Sequence, residues 1–157
     1  MPTLGDFFPQ EDKKTQLQAA LKPGNVFYLH QDFFNRAKDK YFLLAVCADP
    51  PLFFVINSDI PPFIASRPEL KMCQILLQAT DYPQMLAHDS YVDCKEVIEH
   101  FSLAEIEAQV LADMSRLKGS LHRESLQKIQ DAVENSTLIE PGYRKLILVA
   151  LTELLQP

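Results

Sequence analysis

The run Tyr41-Phe42-Leu43-Leu44-Ala45-Val46-Cys47, the break Asp49-Pro50-Pro51 and the run Leu52-Phe53-Phe54-Val55-Ile56 decide how this chain folds. Both runs are short, rich in aromatic and branched residues, and apolar almost throughout. Successive side chains of a strand point to opposite faces, so strands of this kind need cover on both faces. The proline turn holds the two runs close enough to pair as a hairpin. Asn57-Ser58-Asp59 ends the pair, and Pro61-Pro62 forbids ladder hydrogen bonding beyond it.

Toward the N-terminus, Val26, Phe27, Tyr28 and Leu29 mark another strand over residues 25–30, separated from the hairpin by the polar residues 31–40. Before it, Leu17, Ala20 and Leu21 share one face of a short helix over residues 11–21, which Lys22-Pro23-Gly24 stops. Residues 1–9 have a turn-rich, exposed look, although Phe7 and Phe8 need cover. Toward the C-terminus, residues 70–77 read as a strand, Asp81-Tyr82-Pro83 as a turn, and residues 90–92 and 96–98 as two short strands on either side of Asp93. Several short strands at this spacing predict a small barrel or a strongly curved sheet.

The last third is helical. Ser102 and Glu105 have capping-box spacing, and Leu103, Ile106, Val110, Leu111 and Met114 form a stripe that Lys118-Gly119 breaks. A second helix starts at Ser120 with Leu126, Ile129 and Val133 on its stripe and ends at Asn135-Ser136. Pro141 suits the first turn of a third, which carries Leu146, Ile147, Ala150, Leu151 and Leu154. The expected class is α+β, a small curved β-barrel with an N-terminal helix and about three C-terminal helices. All 157 residues are expected to form one domain: a helical extension over 1–21, a barrel core over 22–100 and a helical tail over 101–157.

At 47% hydrophobic and 23% charged residues the composition is that of a globular chain. No apolar run reaches the roughly 20 residues needed to span a bilayer, and residues 1–10 lack the form of a secretory signal, so a cytoplasmic protein without membrane partners is expected. Cys47, Cys73 and Cys94 are odd in number and unpaired in spacing, as expected of buried reduced thiols. A net charge of −6 argues against extended nucleic-acid or anionic-membrane surfaces without forbidding a local basic groove.

Compact catalytic motifs are missing. Gly5, Gly24, Gly119 and Gly142 are too far apart for a phosphate loop, and no Gly-x-Ser-x-Gly elbow occurs. His30, His88, His100 and His122 form no His-x-x-x-His pair, and Cys94 with His100 would need ligands from elsewhere, so neither a metal nor a cofactor is expected. The densest polar cluster is His88-Asp89-Ser90-Tyr91-Val92-Asp93-Cys94. Its plainer reading is a turn leading into an edge strand; its sharper reading is a hydrolase site of His88, Ser90 and Asp93, which spatial convergence rather than adjacency would have to supply. Asn57-Ser58-Asp59 is either a set of turn hydrogen bonds or a ligand contact. Arg36, Lys38 and Lys40 form a basic segment, either a solvated loop or a phosphate contact.

Several of these stretches, in order, resemble the MazF/PemK family of toxin-like barrels. Lys22-Pro23-Gly24-Asn25-Val26 is similar to the family's Pro-Gly-Asp-Val strand start. Residues 40–46 stand where the family has Arg-Pro and an apolar run, and Ile56-Asn57-Ser58 near its strand-end Ser or Thr. Asp89-Ser90-Tyr91-Val92-Asp93-Cys94 resembles its late Asp-Ser-x-Val strand, and Lys118-Gly119-Ser120-Leu121 its Gly-x-Leu-Ser helix start. The resemblance covers residues 22–135. It implies an SH3-like barrel, usually a homodimer, which in active members cuts RNA without a metal and is held by an antitoxin. The ribose 2′-hydroxyl attacks the adjacent phosphate, assisted by a cation and a hydroxyl residue; here those would be Lys40 and Ser58, with Arg36, Lys38, Asn57, His88 and Ser90 binding RNA or a partner.

The departures set the functional expectation. Lysine lacks the bidentate fork of arginine and is a poorer clamp on phosphate. Tyr41 stands where the following proline would be, and the chain is acidic. The expected function is therefore a protein-interaction module of this fold without nuclease activity, and the alternative is a metal-independent endoribonuclease toxin.

Overall fold

The two apolar runs pair antiparallel at the centre of the sheet. In the computed structural model, which describes residues 10–157, they are β2 (Lys38–Val46) and β3 (Leu52–Asn57), with Tyr41 opposite Ile56 and Leu43 opposite Phe54. β1 (Asn25–Gln31) pairs with β2, Phe27 facing Phe42 and Tyr28 facing Tyr41. β5 (Ser90–Ile98) pairs with β3, β4 (Gln74–Leu77) with β5, and β6 (Leu117–Ser120) with β1. The six strands run in the order β4-β5-β3-β2-β1-β6, every pair antiparallel. Register shifts at Val26/Phe27, Leu44/Val46 and Phe53/Val55 bend the strands and increase their twist, so the sheet curls into a half-barrel.

Both faces are covered, as the unalternating strands require. On one side α1 (Gln10–Ala20) and α4 (Leu103–Ala112) bury Leu17, Ile106 and Val110 against Phe27, Leu29, Phe42, Leu44 and Phe53. On the other, α5 (Arg123–Glu134) and α6 (Pro141–Leu155) bury Ile129, Val133, Ile147 and Leu151 against Val26, Leu43, Phe54, Ile56 and Val92. The fold is α+β, with one N-terminal and three C-terminal helices around the curled sheet. Among the described residues no helix is long and apolar enough to cross a membrane. The expectation for residues 1–9 lies outside the described residues.

Several boundaries differ from the sequence expectation. Residues 70–73 are not strand: two one-turn helices, α2 (Pro62–Ala65) and α3 (Pro68–Lys71), precede β4, because Pro68 presets the first helical position and Glu69 and Lys71 complement the two ends. β5 runs unbroken through Asp93, whose buried carboxylate accepts from Gln74 Nε2, Lys95 N and Lys95 Nζ at 2.8, 3.1 and 3.0 Å. The helix after Ser102 ends at Ala112, where Asp113 caps a 3-10 turn, and residues 117–120 form β6 rather than a helix break. The next helix starts at Arg123, not Ser120. Cys47 is exposed, whereas Cys73 and Cys94 are buried. On α6 the buried residues are Ile147, Leu151 and Leu155; Leu146 faces outward, and Leu154 lies at the rim, partly exposed and partly over Gly24.

Asn25 and Gly24 join the elements. Asn25 Nδ2 donates to Ala20 O at 2.8 Å and Asn25 Oδ1 accepts from Ser120 Oγ, which ties the end of α1 to β6. Gly24 has φ +94°, donates to Leu44 O, accepts from Leu121 N, and lies beneath Leu154 and Leu126. A Cβ there would stand 2.8 Å from Leu154 Cδ2, whereas one at Gly119, φ +97°, would meet nothing within 4 Å. Gly119→Ala is expected to cost about 1 kcal/mol for its left-handed backbone. Gly24→Ala carries the same backbone term plus the displacement of Leu154, so urea unfolding should rank it as the more destabilising of the two.

Candidate functional site

A cleft of about 370 Å³ opens at the end of the sheet where β3 finishes and β2 and β5 begin. The curl brings the strand ends together, and the polar residues that terminate the strands become its walls. Lys38, Lys40, Asn57, Ser58, His88 and Ser90 all line it. Arg36 does not: it is exposed in the β1–β2 loop, where its carbonyl accepts from Gln31 Nε2 at 2.8 Å.

Lys40 is the more constrained of the two cleft lysines. Its Nζ donates to Asn57 Oδ1 at 2.7 Å and lies 5.1 Å from the centre of the Phe34 ring. Burial lowers its pKa below 10.5 and the like charge of Lys38 lowers it further, opposed by Asp93. Ser58 is exposed on the wall after Asn57.

The remaining groups were harder to see in the sequence. Tyr28 and Tyr41, cross-strand neighbours, stack with centroids 4.7 Å apart and planes at 18°. Lys118 Nζ lies 5.7 Å from the Tyr28 ring. Burial, then proximity to Tyr28, raises the pKa of the Tyr41 phenol, so it remains a neutral donor. Asp39 is 2.9 Å from His30 Nδ1 and 3.5 Å from Arg116 Nη2, while Arg116 Nη1 donates to Tyr28 O at 2.8 Å. Asp39 and Asp59 also line the cleft.

The polar cluster around Ser90 does not form a nucleophilic triad. Ser90 Oγ donates to the carbonyl of His88 at 3.1 Å, and Asp93 is committed to Gln74 and Lys95. Burial raises the pKa of the Cys73 and Cys94 thiols, and partial desolvation raises that of the exposed Cys47, which favours the poorly nucleophilic protonated form in all three. Among the described residues no three His, Cys, Asp or Glu side chains converge as metal ligands. A larger groove, about 620 Å³, lies between β4 and α5 and contains none of the predicted site residues.

The cleft therefore offers a flat aromatic pair, two ammonium groups, two carboxylates, an imidazole and two hydroxyls. Such a set suits recognition of a polar or charged segment. No known protein-family model matches the chain, and no curated protein shows significant sequence similarity to it.

The Lys40–Asn57 contact makes a titration test. Because the folded chain holds the Lys40 proton less tightly than the unfolded chain does, the contribution of this group to stability rises with pH between its lowered pKa and 10.5. Asn57→Asp places a carboxylate on the ammonium, so Lys40 should titrate at higher pH than in the wild type by side-chain NMR, and that pH dependence should shrink.

Proposed function

We propose that this chain is an interaction module of the MazF/PemK kind, which holds a protein partner and leaves RNA uncut. The observation that carries the reading is the charge balance of the cleft. Among the lining residues Lys38 and Lys40 stand with Asp39 and Asp59, of which Asp39 is shared with Arg116. Attack on a phosphodiester builds negative charge on the phosphoryl oxygens, and its stabilisation needs surplus, preorganised positive charge. Lys40, the counterpart of the family's cation, spends a hydrogen bond on Asn57, and its desolvation weakens its hold on a proton.

The same features serve a protein partner well. Stacked tyrosines give a rigid contact surface at small entropic cost, and neighbouring charges of both signs select orientation. The antiparallel half-barrel, together with the ordered short motifs, supports the family resemblance, and an antitoxin-like polypeptide is the partner class it implies.

One observation favours the alternative of an endoribonuclease: Lys40 and Ser58 stand on the walls of one cleft, with His88 and Ser90 beside them. Incubation of purified, partner-free protein with RNA in EDTA separates the readings. RNA is expected to stay intact, and a photo-crosslinker placed at Lys38 is expected to capture protein rather than RNA in cells. Metal-independent cleavage to 2′,3′-cyclic phosphate ends, lost in Lys40→Ala and in Ser58→Ala, would establish the nuclease instead.

A further inference from the structure

Helix α6 has two unlike faces. Ile147, Leu151 and Leu155 are buried, while Lys145, Leu146, Val149, Thr152 and Glu153 recur at three- and four-residue spacing on the exposed side. Leu146 and Val149 keep 52% and 54% of their surface in solvent. A shallow groove of about 580 Å³ runs along this stripe, floored by Leu148 and Val149 between Lys145 and Glu153.

Lys145 and Glu153 are placed symmetrically on the stripe, while the third charge that lines the groove, Arg144, is half-buried and donates to Ser136 O at 2.9 Å. Lys145 precedes Val149 by four residues and Glu153 follows it by four, so each lies ~6 Å from Val149 along the axis and the two lie ~12 Å apart. They are too far apart to pair with each other. Among the described residues neither has any ion-pair partner. Turning the helix end for end about Val149 exchanges the two positions. A second helix of the same sequence, packed antiparallel, therefore sets each Lys145 level with the Glu153 of the other copy, with Val149 at the centre and Leu146 level with Thr152.

We propose that the exposed stripe of α6 is the surface through which two copies of this chain associate, antiparallel, about a two-fold axis at Val149. An isologous contact requires a patch complementary to itself, and this one is. Parallel packing would oppose Lys145 to Lys145 and Glu153 to Glu153, so the charges also fix the orientation. A single 15-residue helix is ~22 Å long and offers less than the area of a standard interface, which places the association in the weak, concentration-dependent class. None of these residues lines the cleft, so the proposal stands or falls independently of whether the chain cuts RNA.

Sedimentation equilibrium on the full chain, from micromolar to millimolar concentration at low salt, tests it. The apparent mass should rise from 17.9 kDa toward twice that value. Lys145→Glu and Glu153→Lys should each weaken association by about tenfold or more. The double variant, and an equimolar mixture of the two single variants, should each regain it, with thermal unfolding showing that all are folded. A mass of 17.9 kDa throughout, single variants that associate as well as the wild type, or a mixture that fails to recover would each overturn the proposal.

Discussion

The structure depends on the pairing of two strands that have no solvent face. Phe42, Leu44 and Phe53 point to one side of β2 and β3, and Leu43, Phe54 and Ile56 to the other, all of them buried. An antiparallel sheet often leaves one face to water, but this one cannot, since burying a residue of this size contributes about 1.5–3 kcal/mol and exposing a whole face forfeits it many times over. Cover on both sides follows. One side takes α1 and α4, from opposite ends of the strand-bearing segment; the other takes α5 and α6. Asn25, Gly24 and β6 then hold the two helical layers to a common edge.

The same constraint decides where polar chemistry can sit. A sheet covered on both faces leaves its strand ends, edges and loops for water and ligands. Lys40 and Asn57 stand one residue past the paired Tyr41 and Ile56, at the last point where β2 and β3 remain side by side. The register shifts that curl the sheet bring Ser90 and His88 to the same mouth. The cleft is thus a by-product of strand termination, and its mixed charge follows from the residue types that end strands.

Much of this was legible in the sequence because it is local. The hairpin, the first strand, the Ser102 cap, whose hydroxyl accepts from Glu105 N at 3.1 Å, and the proline start of α6 all follow from residues within a few positions of one another. Six of the seven proposed site residues proved to share the cleft for a related reason: Lys38, Lys40, Asn57 and Ser58 stand at the open end of the hairpin, and His88 and Ser90 at the start of the neighbouring β5. What was hidden is long-range. β6 carries only Leu117 as an apolar residue and contains a glycine, so propensity argues against a strand; pairing with β1 overrides it. The Tyr28–Tyr41 stack requires the β1–β2 register, and the inward face of α6 requires knowing which neighbour it meets. The α6 apolar residues extend around more than one face, so periodicity admits two orientations and only packing chooses Ile147, Leu151 and Leu155.

The order of the chain gives the two-sided cover a consequence for synthesis. The strands β1 to β5 and the helices α1 and α4 of one layer are complete by residue 112, while α5 and α6 span 123–155. A ribosome therefore releases a nearly whole sheet with one layer in place and with Val26, Leu43, Phe54 and Val92 still bare. At about 5–20 residues per second the wait for the closing pair lasts seconds, far longer than helix formation itself. The edge at β1 is likewise free until residues 117–120 emerge to take it. Nascent chains of this protein thus pass through an interval in which an apolar sheet face is offered to holdase chaperones or to other nascent chains, and truncation before residue 141 would make that interval permanent.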